Sequence, residues 1–261
     1  MNAQHQSTFE NTMQGYAQGF RVSHIATFGL ENCAPNEEVQ AVFDRLPAFD
    51  QIPVLDDRRT IGVLERDGED LSGIVANHMR SLDDSILVSA DESLRQFLPL
   101  MENKAYYLVI EGSKVNGIVT RSDILKLPVR LYAFALVTNL ELLMTEIIQQ
   151  EFPRDLDWLK FISSGRREKV KEEKDNYQQK RMDPPLIELT NFCDKYTVLL
   201  KHYKTLKSED FKSDIVKIEQ RLRNPLAHAK SFANNQEELR EFLDLVKKTQ
   251  DWTQKLSHYL N

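Results

Sequence analysis

Residues 107–123 read YLVIEGSKVNGIVTRSD, and residues 52–68 read IPVLDDRRTIGVLERDG. A shift of 55 positions lays one stretch on the other without a gap, so that Gly62 falls on Gly117. In each copy a polar turn, DDRR or EGSK, separates two apolar runs, which is typical of two antiparallel strands joined by a tight turn. Self-similarity at a fixed period indicates a duplicated structural unit.

The same shift carries the preceding segments onto each other. CAPNEEVQAVF at 33–43 falls on VSADESLRQFL at 88–98. Each segment opens with a short apolar stretch, and Asn36 or Asp91 then supplies a side chain suited to a helix N-terminus. The sequence therefore predicts a β-α-β-β unit present twice, and hence a mixed α/β module.

This duplicated pattern resembles a tandem CBS module, also called a Bateman module, over residues 18–128. The most specific element is GIVTRSD at 117–123, which is similar to the family signature of a glycine, two hydrophobic residues, a threonine and an aspartate three positions later. The resemblance implies a first CBS repeat at residues 18–76 and a second at 77–128. They follow a polar leader at residues 1–17.

Membership of this family implies an adenine nucleotide (AMP, ADP or ATP) as a regulatory ligand. The matching positions imply that Thr120 and Asp123 hold the ribose and phosphate edge. They also imply that the adenine lies near Val88 and Tyr107. The chemistry suits these roles, because a carboxylate accepts hydrogen bonds from ribose hydroxyls and a threonine hydroxyl donates to phosphate. Arg121 can add a charged contact to phosphate.

The first copy departs from the signature. Glu65 stands at the threonine position and Gly68 at the aspartate position. A carboxylate repels phosphate, and the ribose acceptor is missing, so we expect one competent nucleotide site in the second repeat. The alternative is that both clefts are empty and the module serves only for dimer packing.

From Pro128 onward the apolar residues follow helical spacing, which predicts an all-α antiparallel helical bundle over residues 129–261. The expected helices cover residues 128–151, 186–206, 211–224 and 237–260, with Ser208 among the capping residues of the third. The polar segment at 166–182 is predicted to be a solvated helix face or a mobile connection. A nucleic-acid-binding patch is the alternative for that segment.

The stretch RLRNPLAH at 221–228 places a proline within a predicted helix. A residue before proline is disfavoured in the helical region, whereas Asn is a good N-cap and Pro a good first helical residue. We therefore expect a helix to end near Leu222-Arg223, with a kink or a restart at Asn224-Pro225. Such a break allows Arg223 and His228 to converge.

The arrangement of Arg223, Asn224 and His228 resembles the HEPN family over residues 129–261. The resemblance implies a metal-independent endoribonuclease whose site is shared between two protomers. His228 suits proton transfer and Arg223 suits phosphate binding, while Asn224 either orients the phosphate or caps a helix. The alternative is a non-catalytic regulatory or dimerisation protein in which these side chains make only structural contacts.

Composition fits these expectations. The net charge is −6, and the acidic surplus lies in residues 1–130, which hold 12 basic and 19 acidic residues. The two cysteines lie in unrelated contexts and form no metal-binding or disulfide pattern. The N-terminus does not resemble a signal peptide, and no uninterrupted apolar run approaches 18 residues. We expect a cytoplasmic homodimer that needs no metal, avoids membranes and acts on RNA.

Overall fold

The computed structural model describes residues 15, 19–66, 72–83, 86–207, 209–227 and 235–260. The chain divides into two compact units, one formed by residues 17–129 and the other containing the chain from residue 130 onward. We call them the N-terminal unit and the helical unit. Apart from Gly15, the predicted polar leader at residues 1–17 lies outside the described residues.

The N-terminal unit alternates strands with short helices. Its elements in chain order are β1 (Thr27–Phe28), α1 (Val39–Arg45), β2 (Gln51–Asp56), β3 (Arg59–Glu65), α2 (Val75–His78), β4 (Arg80–Ser81), β5 (Leu87–Ser89), α3 (Leu94–Phe97), β6 (Tyr106–Glu111) and β7 (Lys114–Thr120). Short 3-10 helices lie at Val22–His24, Leu98–Glu102 and Arg121–Leu125.

Two sheets repeat one plan. One has the strand order β2-β3-β4 and the other the order β1-β7-β6-β5. Cys33 makes a parallel bridge to Val54 in the first, and Val88 pairs in parallel with Val109 in the second. These two pairs are related by the 55-residue shift, and the register shifts directly after Val54 and after Val109. The predicted α/β character of the N-terminal part is therefore confirmed, and the first strand of the first copy is reduced to the single bridge at Cys33.

The paired glycines allow a third strand to approach each hairpin. A Cβ atom on Gly62 would lie 2.6 Å from the carbonyl oxygen of Arg80 in β4. A Cβ atom on Gly117 would lie 3.0 Å from the ring of Phe28 in β1. Both positions need a residue without a side chain because the neighbouring strand passes so close.

Burial of apolar side chains stabilises each repeat. One hydrophobic cluster joins β2 and β3 to α1 and comprises Cys33, Val39, Val42, Phe43, Leu46, Ile52, Val54, Leu64 and Val75. A second cluster comprises Val63, Ile86, Tyr106, Leu108 and Ile118. Val63 belongs to the first repeat, so this second core includes residues from both repeats.

The helical unit begins within a long helix. Its elements are α4 (Leu127–Glu151), α5 (Asp155–Leu159), α6 (Ser164–Gln179), α7 (Phe192–His202), α8 (Glu209–Lys217), a π-helix (Ile218–Arg223), α9 (Asn224–Ala227) and α10 (Gln236–Ser257). The predicted helical character of this half is confirmed, and the polar segment after residue 163 is a helix rather than a mobile connection. Ser208, an expected cap, lies outside the described residues.

The helix type changes at the predicted position, from a π-helix ending at Arg223 to an α-helix beginning at Asn224, but the expected departure of Asn224 from helical angles is wrong. Asn224 has helical angles (φ −66°, ψ −45°), and its backbone N–H donates to the carbonyl of Glu219, five residues earlier. The π-helix shifts the hydrogen-bond pattern by one residue before Pro225, which has no N–H to donate. The chain is thus helical without interruption from Glu209 to Ala227.

Within the described part of the chain, one helix, α4, is long enough and apolar enough to cross a membrane. Its most apolar stretch of 18 residues has a mean hydropathy of 1.5. Half of that stretch is buried inside the protein. The core helix of a water-surrounded protein has the same length and composition, so this property alone does not define a membrane span.

Candidate functional site

Thr120 and Asp123 come together where β7 ends and the 3-10 helix Arg121–Leu125 begins. The Asp123 carboxylate accepts the backbone N–H of Thr120 at 2.6 Å and the Thr120 hydroxyl at 2.9 Å, both through Oδ2. The Lys126 ammonium lies 2.7 Å from Oδ1. Asp123 is buried, and its carboxylate both caps the start of the 3-10 helix and pairs with Lys126.

Arg121 differs from its counterpart in the first repeat. Arg66, 55 positions earlier, donates to the carbonyl of Leu46 at 3.2 Å and stacks 4.1 Å from the ring centre of Phe43. Arg121 is half-buried and makes no hydrogen bond or ion pair with the residues that the structure describes. Arg66 therefore serves the fold, whereas Arg121 remains available to an anion beside Thr120.

Val88 and Tyr107, the two residues expected near adenine, are core residues. Val88 is buried in β5, and Tyr107 is buried in β6. The Tyr107 hydroxyl donates to the carbonyl of Leu100 at 3.0 Å, and its ring meets the Phe97 ring edge-on. Burial raises the pKa of the Tyr107 hydroxyl above its ordinary value. These side chains shape the floor of the repeat rather than offer a free polar contact.

In the first repeat, Glu65 is engaged by protein groups. The Tyr106 hydroxyl donates to its carboxylate, and Arg80 lies 3.7 Å away. Tyr106 is also the strand partner of Thr120. The same tyrosine therefore contacts Glu65 through its hydroxyl and pairs with Thr120 through its backbone. A carboxylate held in this way does not leave room for phosphate charge. Gly68 lies outside the described residues.

In the helical unit, Arg223 belongs to an ion-pair cluster that is centred on Glu141. Its guanidinium donates to Glu141 Oε2 at 3.2 and 3.3 Å, and the Lys195 ammonium donates to Glu141 Oε1 at 2.9 Å. Lys195 is buried and Arg223 is one-third exposed. The guanidinium also lies 5.7 Å from the ring centre of Phe192.

Acidic side chains surround this cluster. Glu219, one turn before Arg223 in the π-helix, has a raised pKa, chiefly because it is partly buried, with Arg223 acting in the opposite direction. Glu141 and Asp194 raise the pKa of Glu219 further. Asp194 itself is buried and accepts both arms of the Arg166 guanidinium, at 2.6 and 3.0 Å.

The other two residues of the predicted catalytic set are placed differently. Asn224 is exposed and helical, so it does not cap a restarted helix. His228 lies outside the described residues. Among the residues described, no group of three or more His, Cys, Asp or Glu side chains could hold a metal ion.

Sequence reasoning missed Lys126 and Glu141. Lys126 stands three residues after Asp123, a spacing that often allows side chains to meet at a helix start, so this pair could have been found. Glu141 lies 82 positions before Arg223, and no local signal joins the two.

Comparisons with known proteins agree with this geometry. The fold defines an α/β module of duplicated β-α-β-β units. The family model of the CBS domain matches residues 72–130, and the N-terminal part of the chain therefore has a CBS-like fold and contains a CBS domain. The match ends at residue 130, so the HEPN resemblance of the helical unit stays a prediction. No curated protein matches the chain.

Several solved CBS structures are similar. The CBS domains of a transcriptional regulator from Streptococcus pneumoniae share 19% identity, with 40% of this chain and 96% of that chain covered and a TM-score of 0.35. CBSX2 in complex with AMP shares 20%, with 41% and 94% covered and a TM-score of 0.35. The CBS domain of a bacterial CNNM/CorC family Mg²⁺ transporter in complex with ATP shares 17%, with 46% and 94% covered and a TM-score of 0.35.

Proposed function

We propose that the CBS module of this protein binds an adenine nucleotide and thereby controls a HEPN-type, metal-independent endoribonuclease in the helical unit. The observation that carries the nucleotide half is the Thr120–Asp123 pair at the end of β7. A hydroxyl and a carboxylate 2.9 Å apart, beside an arginine without a protein partner among the described residues, suit ribose and phosphate together.

The two equivalent arginines provide a crossed test of nucleotide binding. Calorimetric titration of the full chain with AMP, ADP and ATP should give measurable binding, since AMP and ATP are the ligands named for two of the similar CBS structures. Arg121→Gln should weaken ATP binding about tenfold, the size of a charge-assisted phosphate contact, without lowering the melting temperature. Arg66→Gln should lower the melting temperature and leave affinity unchanged. Equal affinity in all three proteins would count against this site.

The nuclease half of the proposal rests on Arg223 and His228. The guanidinium of Arg223 is a cation in a partly buried cluster, and a cation in such a place stabilises the charge on phosphate more strongly than one in open water. His228 would move the proton at the 2′-oxygen or the leaving oxygen. Purified protein should cleave mixed RNA in EDTA, and His228→Ala should abolish cleavage. Arg221→Ala, which alters an exposed arginine in the same π-helix, is the matched control and should retain cleavage.

One contact favours the second candidate, a non-catalytic regulatory protein. Glu141 already neutralises Arg223, and an arginine held by a carboxylate is less available to phosphate. Identical inactivity of wild type, His228→Ala and Arg223→Lys, combined with retained nucleotide binding, would select this candidate. Cleavage by wild type and Arg221→Ala alone would select the nuclease.

We further propose a homodimer that pairs through an exposed apolar stripe on α4. Leu131, Phe134 and Leu142 are 48%, 45% and 40% exposed, and their spacing of three and eight residues keeps them on one helix face about 16 Å long. A second copy is the partner that offers a stripe of the same length and character, and two-fold pairing buries both.

Sedimentation equilibrium tests the dimer. A Leu131→Lys/Phe134→Lys protein should sediment as a monomer. Leu156→Lys, which changes a more exposed leucine on α5, should behave as wild type. Retained dimerisation of the double variant contradicts this interface, and flotation of wild type with liposomes would assign the stripe to a membrane. A cytoplasmic, membrane-free setting is part of the same proposal.

Helix α4 supplies the connection between the two activities. It begins four residues after Asp123 and carries Glu141, the partner of Arg223. Nucleotide can control cleavage only if it binds two states of the module with different affinity. Addition of ATP at a concentration near the wild-type Kd should therefore change the RNA cleavage rate of wild type and change the Arg121→Gln rate much less.

A further inference from the structure

The ammonium of Lys126 is already paired with the carboxylate of Asp123, which the nucleotide would need to bind. The ammonium lies 2.7 Å from Asp123 Oδ1 and also donates to the carbonyl of Ile25 at 2.5 Å. The side chain of Asp123 is 9% exposed, whereas that of Lys126 is 40% exposed. The lysine is therefore the solvent-facing member of the pair, and the aspartate is the buried member.

The two oxygens of Asp123 have different tasks. Oδ2 accepts both donors of Thr120, which fix the start of the 3-10 helix. Oδ1 is the oxygen left to accept a hydrogen bond from a ligand hydroxyl, and Lys126 already donates to it. A ribose can reach this oxygen only if the ammonium moves aside.

The lysine is specific to the second repeat. The position 55 residues earlier is Leu71, in the repeat that carries Glu65 and Gly68 at the signature positions. A lysine is therefore present in the copy that carries Thr120 and Asp123, and the first copy has an uncharged leucine at the same position.

We propose that Lys126 is an internal competitor for the ribose position and turns to the ligand's phosphate when ribose displaces it. This inference rests on the proposed nucleotide site and names what selects among its ligands. A lysine ammonium on a flexible four-carbon stem can exchange a carboxylate for a nearby phosphate. A ligand with a phosphate compensates the lost ion pair, whereas a nucleoside without phosphate does not.

Affinities for adenosine and ATP test the exchange. Lys126→Met keeps the stem and removes the charge, so adenosine should bind about fivefold more tightly than to wild type, the size expected of a partly exposed ion pair. ATP should bind more weakly to Lys126→Met, because the phosphate loses a cation. The ratio of ATP to adenosine affinity should therefore fall by more than fivefold. Lys114→Met, at the opposite end of β7, is the matched control and should leave both affinities unchanged.

A double-mutant cycle tests the pair without ligand. Thermal unfolding of wild type, Asp123→Asn, Lys126→Met and the double variant should show non-additive melting shifts. Additive shifts overturn the inference, as does an adenosine affinity that is equal in wild type and Lys126→Met while both bind ATP. If wild type binds neither adenosine nor any adenine nucleotide, the proposed nucleotide site fails as well, even where the cycle is non-additive.

Discussion

Glu141 is a charged residue whose removal should clearly destabilise the helical unit. Its Oε1 lies 2.9 Å from the ammonium of Lys195, and its Oε2 lies 3.2 Å from the guanidinium of Arg223. The side chain of Lys195 is 7% exposed and that of Arg223 is 33% exposed. Glu141→Ala therefore leaves one cation buried without its ion-pair partner and another that water can reach.

The size of the effect follows from that difference in exposure. Removing one partner of a buried ion pair typically costs 3–5 kcal/mol, because a charge remains in a poorly solvated place, at about the lower end when part of the cluster is accessible. The Arg223 contact contributes less than about 1 kcal/mol, since its guanidinium can be rehydrated. We expect Glu141→Ala to lower the free energy of unfolding by about 3 kcal/mol.

Urea unfolding followed by tryptophan fluorescence measures this change. Both tryptophans, Trp158 and Trp252, are buried in the helical unit, so their emission reports on that unit. With a slope of about 2 kcal/mol per molar urea, the midpoint should fall by about 1.5 M. Asp157→Ala, which removes an exposed ion pair with Arg154, is the control and should change stability by less than about 1 kcal/mol.

A double substitution distinguishes the loss of the ion pair from the cost of leaving Lys195 buried without a partner. Glu141→Met/Lys195→Met removes the buried cation together with its partner and should be more stable than Glu141→Ala. If Glu141→Ala unfolds within about 0.5 kcal/mol of wild type, or no earlier than Asp157→Ala, the reasoning from burial is wrong.

Other predictions concern the strand crossings and two titrating groups. Gly62→Ala should cost about 2 kcal/mol, and more than Gly117→Ala, because its Cβ would lie 2.6 Å from a backbone oxygen whereas the atoms nearest to a Cβ on Gly117 are 3.0 Å or more away; equal melting temperatures would contradict this. Burial raises the pKa of the Cys33 thiol from 9.0 to about 11, so at pH 8 a Cys193→Ser protein should react with DTNB roughly 100-fold more slowly when folded than when unfolded. Burial also raises the pKa of Glu219, so stability is lost as pH rises from 4.5 through its folded value. Glu219→Gln should then be more stable than wild type at pH 7, with the gain disappearing below pH 4.5 in urea titrations.

Much of the N-terminal unit could be predicted from the sequence because its signals are local and repeated. Alternating apolar residues and polar turns specify a hairpin within about 15 residues, and the duplication doubles the signal. The parallel pairing of Val88 with Val109 follows the same 55-residue relation as that of Cys33 with Val54. The long helix after residue 126 was predictable for the same reason, since helical spacing is read within a single segment.

The sequence therefore determined the duplicated hairpins and the helical second half. Only the tertiary structure decided what each polar side chain contacts. It assigned Arg66 to a helix end, left Arg121 without a partner among the described residues, and joined Arg223 to a glutamate 82 positions away. It also continued the helix through Pro225 by means of a π-helix. Local propensity cannot specify such outcomes, because ion pairs and helix distortions depend on which elements pack together.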